Sequence, residues 1–186
     1  MIKIYKEKEL SYGYSHGYDN MNDLNINYSE FPDISTPKNL TGYTSDPNWI
    51  VSASNESYDG TTCYAWRAFN GTSNNKQDGW GSNTFPCYMI WQNLTQRVLI
   101  KKYQIRNRND HLNYSSPYTW KIEGSNNGTD WEEIDSQTNV TSWSQNELKT
   151  FTVPTNNRGY FYHRIYVTEH GSDGLLISEL NGYSTL

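Results

Sequence analysis

The segment Arg106-Asn107-Arg108-Asn109-Asp110-His111-Leu112-Asn113-Tyr114-Ser115-Ser116-Pro117 gathers forked donors, amides, a carboxylate, an imidazole and a ring in one short stretch. Such a mixture suits polyhydroxylated ligands: planar polar groups satisfy pairs of hydroxyls, and an aromatic face covers the apolar C–H side of a sugar ring. Arg108, Asp110, His111, Asn113 and Tyr114 are the candidate binding residues. The alternative is plain loop chemistry, with Arg106 paired to a carboxylate on the sheet and Asn109-Asp110 forming a turn. A second polar loop, His170-Gly171-Ser172-Asp173-Gly174, adds His170 and Asp173. Trp49, after Asp46-Pro47-Asn48, is either a stacking platform or an edge of the core. Catalytic signatures are missing: the chain has no G-x-S-x-G elbow, no HExxH helix and no phosphate loop. Glu132 and Glu133 are neighbours on an expected strand and point to opposite faces, so they read as surface charge and not as an acid pair. The chain is expected not to be an enzyme.

The elements that must hold these loops are strands. In Tyr118 to Ile134, YTWKIEGSNNGTDWEEI, the residues Trp120, Ile122 and Gly124 share one face and Lys121 and Glu123 the other. Asn126-Asn127-Gly128 then supplies a turn, Gly128 taking positive φ at no steric cost. Trp131 and Ile134 differ in parity, so the return strand must carry a bulge if both face inward. Further strands are expected at Trp49–Ser54, Cys87–Gln92, Val98–Arg106, Thr119–Glu123, Trp131–Asp135, Leu148–Val153, Phe161–Thr168 and Leu175–Tyr183. No segment keeps a helical stripe, and no repeat recurs at a fixed period. An all-β sandwich follows.

Composition narrows the classes. The 186 residues suffice for one core, and aromatics at 15 %, with 16 Tyr and 7 Trp, must supply much of its buried area. A net charge of −5 and no basic stripe argue against nucleic acid. No apolar run is long enough to span a bilayer, and the first residues lack the apolar region of a signal peptide, so export is expected to use another route or a removed leader. Cys63 and Cys87 suit one bridge or two packed thiols, and both readings stand. Residues 1–36 are Tyr-, Gly- and Asn-rich with no period, and are expected to be an N-terminal extension or docking arm. Residues 37–186 form the main domain.

The order ASNESYDGTTCYAWRAFNGTSNNKQDGWGS, MIWQNL, VLIKKYQIRNRND, SPYTWKIEGSNNGTDWEEID, YHRIYVTEHGSDGLLISELNGY resembles the coagulation factor V/VIII type C, or discoidin, family, whose bacterial and viral members include the family 32 carbohydrate-binding modules. The hairpin is its most specific part, similar to W-x-(I/L)-x-G-S-N-(D/N)-G-x-x-W. The resemblance implies a discoidin-like, galactose-binding-like jelly-roll sandwich of about eight main antiparallel strands with binding loops at one end. It further implies a lectin-like, adhesive module with a cell-surface glycan as partner, an accessory or receptor-binding part of a larger extracellular or virion assembly; the virion setting is expected from the missing signal peptide and the unusual arm, and membrane lipid is a poor fit for loop tips that are mostly Asn, Ser and Asp. In galactose-type members an Arg and an Asn a few residues on share one loop, which Arg108 and Asn113 match, and the family's loop Trp, here Trp80, packs structurally. The resemblance also implies a structural Ca²⁺ after A-F-D-G, with Asn70, Thr72 and Glu179 as ligands. Asn70 stands where the family has Asp, which weakens such a site; the other reading is that Asn70 and Glu179 only hydrogen-bond the loop. An alternative role is a structural domain of a phage capsid or tail, anchored through residues 1–36.

Overall fold

The computed structural model describes residues 33–58, 60–75, 77–110 and 114–186. His111, Asn113 and most of the expected arm, residues 1–32, lie outside them. Fourteen strands are present among the described residues: β1 Trp49–Ala53, β2 Ser57–Tyr58, β3 Thr61–Thr62, β4 Trp80–Ser82, β5 Cys87–Asn93, β6 Val98–Leu99, β7 Lys102–Arg106, β8 Pro117–Ser125, β9 Glu132–Gln137, β10 Leu148–Thr152, β11 Gly159–Tyr160, β12 Tyr162–His170, β13 Leu175–Ile177 and β14 Glu179–Tyr183. A short 3-10 helix, Ala65–Phe69, is the one helical element among them.

Two antiparallel sheets form the body, a five-stranded one in the order β1-β5-β12-β8-β9 and a three-stranded one in the order β10-β7-β14. Alternation decides which face each strand buries. Along β5 the odd residues Cys87, Met89, Trp91 and Asn93 are buried and the residues between them half-buried, and β7 does the same with Tyr103 and Ile105. The core between the sheets is aromatic: Trp91, Trp120, Tyr103, Phe69 and Trp80 are at most 1 % exposed. Tyr103 stacks on Phe151 at 5.0 Å, and Trp120 meets the same ring edge-on at 5.2 Å. Rings therefore supply area and geometry that the sparse aliphatics do not.

The hairpin forms, and its return strand is irregular. Trp120 and Ile122 are buried on the core face, and the β8–β9 register shifts between Ile122↔Asp135 and Glu123↔Glu133, leaving Ile134 as the extra, bulged residue. Gly128 sits at φ +76° in the turn, whose backbone is held by Asn127 Oδ1 accepting from Thr129 and Asp130 at 2.9 Å each. Two expected strands are divided. Val98–Arg106 breaks at Ile100-Lys101 between β6 and β7, and Leu175–Tyr183 breaks at Ser178 between β13 and β14, because each chain leaves a small ladder to join the three-stranded sheet. Cys63 and Cys87 are both buried thiols with no disulfide. No helix among the described residues is long and apolar enough to cross a membrane.

Ile34, Ser35 and Thr36, assigned to the arm, pack into this body. Ile34 bridges Tyr183, Ser35 N–H donates to the Gly182 carbonyl at 2.9 Å, and Trp91 Nε1 donates to the Ser35 carbonyl at 3.1 Å. Ser35 and Thr36 are buried. The domain thus begins earlier than the sequence boundary at residue 37, because this segment covers the open edge of β14.

Candidate functional site

Antiparallel pairing sends several loops to one end of the five-stranded sheet. The registers Ala53↔Met89, Val167↔Cys87 and His170↔Pro117 align the end of β1, the start of β5, the start of β8 and the end of β12. Backbone bonds then tie the loop after β12 to the one before β8: Gly171 N–H donates to the Ser116 carbonyl at 3.0 Å, Asp173 N–H to the Tyr114 carbonyl at 2.7 Å, and Leu176 N–H to the Ser115 carbonyl at 2.7 Å. Tyr114, Asp173 and His170 are thereby brought together from distant parts of the chain. Tyr114 is 52 % exposed. The His170 ring lies flat on Phe85, with centroids 3.7 Å apart and planes 25° from parallel. Phe85 was missed in the sequence, where a lone aromatic before a proline in a short loop carries no signal.

Arg108 does not present its guanidinium to solvent. It is 2 % exposed; Nε and Nη2 donate to the two Asp110 oxygens at 2.8 Å each, and Nη1 donates to Ser115 Oγ at 2.8 Å and to the Tyr58 hydroxyl. The cation also lies over the Tyr58 ring, 5.0 Å from its centroid. Burial, the largest single influence, works against the charge, yet the bonds and charges of Asp110 and Tyr58 leave Arg108 held more firmly protonated than usual. This is a correction to its expected role as a direct ligand: the fold uses Arg108 to fix Asp110 and the start of the loop, and Asp110 is the exposed member of the pair. Tyr58 and Ser115 were not anticipated, since only the fold places them against Arg108.

Trp49 is corrected as well. It is 8 % exposed, belongs to the core, and pairs with Asn93 at the opposite end of the sheet from His170 and Pro117. Trp80 is fully buried, its Nε1 donating to the Asn55 carbonyl at 2.9 Å, as a packing residue should.

The Asn70 loop has its own geometry. Asn70 Nδ2 donates to Asp78 Oδ1 at 2.6 Å, Thr72 Oγ1 to Asp78 Oδ2 at 2.7 Å, and the Asn74 N–H to the same oxygen at 2.8 Å. Asn70 Oδ1 accepts from the Thr72 N–H at 2.8 Å. Asp78, 7 % exposed, is therefore the hub of the loop, and its charge stands where Asn70 has none. Glu179 is 6 % exposed and its Oε1 has no hydrogen-bond partner among the described residues. Burial pushes the Glu179 carboxyl up to about 8; nearby Asp78 adds to this, while the Thr72 and Gly71 N–H groups and Arg106 pull it down. Among the described residues no three His, Cys, Asp or Glu side chains gather in a metal cluster. A metal here would depend on Glu179, Asp78 and neutral oxygens of Asn70, Thr72 and the backbone. An all-oxygen set with one partnerless buried carboxyl oxygen fits a hard cation such as calcium.

One more ionisable group is buried away from these loops. His163 is fully enclosed, stacked on Trp91 at 5.7 Å with Tyr160 edge-on at 5.8 Å, and neither ring nitrogen has a partner among the described residues. Burial pushes its pKa down to about 3, so it is a neutral core ring.

No family model and no curated protein matches the sequence. Solved structures do match the fold. The family 32 carbohydrate-binding module of Streptococcus pneumoniae EndoD aligns over 82 % of this chain and 99 % of its own, with a TM-score of 0.62 at 10 % identity. A Clostridium perfringens module, CpGH89CBM32-5, solved with GalNAc-β-1,3-galactose, aligns over 74 % and 96 %, with a TM-score of 0.59 at 18 % identity. An F5/8 type C domain from Bacteroides fragilis aligns over 73 % and 90 %, with a TM-score of 0.56 at 18 % identity. The chain thus has the β-sandwich fold shared by F5/8 type C (discoidin) domains and family 32 carbohydrate-binding modules.

Proposed function

We propose that this chain is a non-catalytic carbohydrate-binding module that recognises a cell-surface glycan through the loop end of its five-stranded sheet. The observation that carries the reading is the backbone bond that joins the Tyr114 loop to the Asp173 loop, which puts a half-exposed aromatic residue and an exposed acidic residue on one end of the sheet. In this reading Tyr114 covers the apolar face of a sugar ring, Asp110 and Asp173 accept from its hydroxyls, and Arg108 positions Asp110. Support comes from the fold, since neighbours that share it were solved with sugars: the Clostridium perfringens module above, and a family 32 module of Clostridium perfringens NanJ solved with galactose. An extracellular setting, where such glycans are met, belongs to the same proposal. So does calcium, held by Glu179 and Thr72 with Asp78 replacing the charge that Asn70 lacks; its role would be to pin the loop, and it supplies no chemistry to the sugar site.

A glycan array probed with the multivalent protein tests this, beside Tyr114→Ala and Asp173→Ala variants whose melting midpoints match the parent. Binding that both variants lose is expected, and binding that both retain removes the loop end from the proposal. A millimolar calcium titration should raise the melting midpoint of the parent and leave that of Glu179→Gln where it was; no shift in the parent refutes the metal site.

A further inference from the structure

A cavity of about 550 Å³ opens at the end of the three-stranded sheet, lined by Lys38, Asn39, Arg106, Asn146, Glu179 and Asn181 together with the Gly71–Asn74 loop. Its position follows from pairing: Glu179 of β14 and Leu148 of β10 both face Arg106 at the end of β7, so the turns that flank these strands meet there. Arg106 extends into it, whereas Arg108, two residues on, runs inward to Tyr58 and Ser115. Room for a metal ion alone would be far smaller than this volume, which matches a single small-molecule ligand.

The walls are built for polar recognition. Asn39 and Asn146 both hold left-handed backbone, at φ 53° and 56°, and they are two of the three such non-glycine residues described. Gly71 holds φ +78°, a backbone conformation that side chains rarely adopt, and a Cβ there would lie 2.7 Å from Asn39 Oδ1 and push that amide aside. Conformations of this kind cost energy and persist where the surroundings fix them. Arg106 is held by long bonds, Nη1 donating to the Asn146 carbonyl at 3.2 Å and to its Oδ1 at 3.4 Å. Beside it, on the neighbouring strand, Glu179 is a buried carboxyl whose Oε1 has no partner among the described residues. Lys38 and Arg106 bring two positive charges against that one carboxyl, and the remaining lining residues are uncharged.

We propose that this cavity is a second ligand pocket, which takes a single acidic saccharide residue. The saccharide carboxylate pairs with Arg106 and Lys38, its hydroxyls exchange hydrogen bonds with Asn39, Asn146 and Asn181, and one hydroxyl donates to the Glu179 carboxyl. The pocket does not depend on the loop-end reading, because Tyr114, Asp173 and His170 take no part in it. It shares Glu179 with the calcium reading, so its test is made in chelator.

The test is a titration of the ¹⁵N-labelled chain with galacturonate and, in parallel, with galactose, followed by amide chemical shifts. Galacturonate should move the amides of Asn39, Gly71 to Asn74, Asn146 and Asn181, saturably, and equally in Tyr114→Ala. Arg106→Leu should weaken this on the order of tenfold. Lys38→Ala, at an exposed residue, should weaken it in the same direction and serves if the Arg106 variant does not fold. Silence at these amides, equal shifts with galactose, shifts confined to the loop end, or shifts that need added calcium would each overturn the pocket as proposed.

Discussion

Replacing Glu179 by Gln should flatten the stability of this protein across neutral pH, and the size of the change follows from burial. In an unfolded chain the Glu179 carboxyl titrates near the ordinary value of 4.5; in the folded chain it titrates at about 8. The folded state therefore binds the extra proton, so the contribution is complete below pH 4.5 and is lost as pH rises toward 8. Between pH 6.5 and 8 the loss is about 1.5 pKa units, or roughly 2 kcal/mol at about 1.4 kcal/mol per unit. For a domain of this size that is a fall of roughly 4–8 °C in the melting midpoint. His163 is silent in this window, because its depressed pKa makes it act only below its ordinary 6.5. The assay is thermal unfolding in chelator at several pH values from 6.5 to 8, for the parent and for Glu179→Gln. The parent midpoint should fall with pH and the variant should hold level. A variant that keeps the parent slope would refute the reasoning, since the titrating group would then lie elsewhere.

On the acid side the sign reverses: the His163 contribution is complete above pH 6.5 and is lost as pH falls toward about 3, so His163→Phe, which keeps the ring, should resist acid unfolding below pH 4.5 better than the parent by about 2 kcal/mol, measured by urea midpoints. Arg108→Ala should cost about 2 kcal/mol, because the buried hydroxyls of Tyr58 and Ser115 lose the donor they share while Asp110 is left to solvent; an unchanged denaturation midpoint would show that the pair is dispensable. Gly128→Ala, forced to hold φ +76°, should destabilise by about 1 kcal/mol with no effect on ligand binding, read from the same unfolding curves.

The strands were legible because alternation is a local property. Trp120, Ile122 and Gly124 on one face are visible in any extended chain, and an irregular return strand was expected from the parity of Trp131 and Ile134; the bulge does fall at Ile134, but Trp131 packs under Arg164 on the face of Glu123, so it does not serve to turn both residues inward. The division of Val98–Arg106 and of Leu175–Tyr183 was not legible, since a strand that changes ladders keeps its apolar character through the change.

At the candidate sites the sequence determined residue types, and the fold determined their roles. It marked Arg108, Asp110 and Tyr114 as one loop, but a guanidinium is equally suited to a ligand or to a buried carboxylate, and only the arrival of Tyr58 from fifty residues away turned Arg108 inward. It offered Trp49 as a platform, and antiparallel register put that ring at the far end. Composition and alternation thus fixed an aromatic all-β sandwich with polar loops. Which loops meet, which charges are buried, and that Glu179 shares a cavity with Lys38 and Arg106, depend on contacts between residues far apart in the chain, and a linear pattern does not encode those distances.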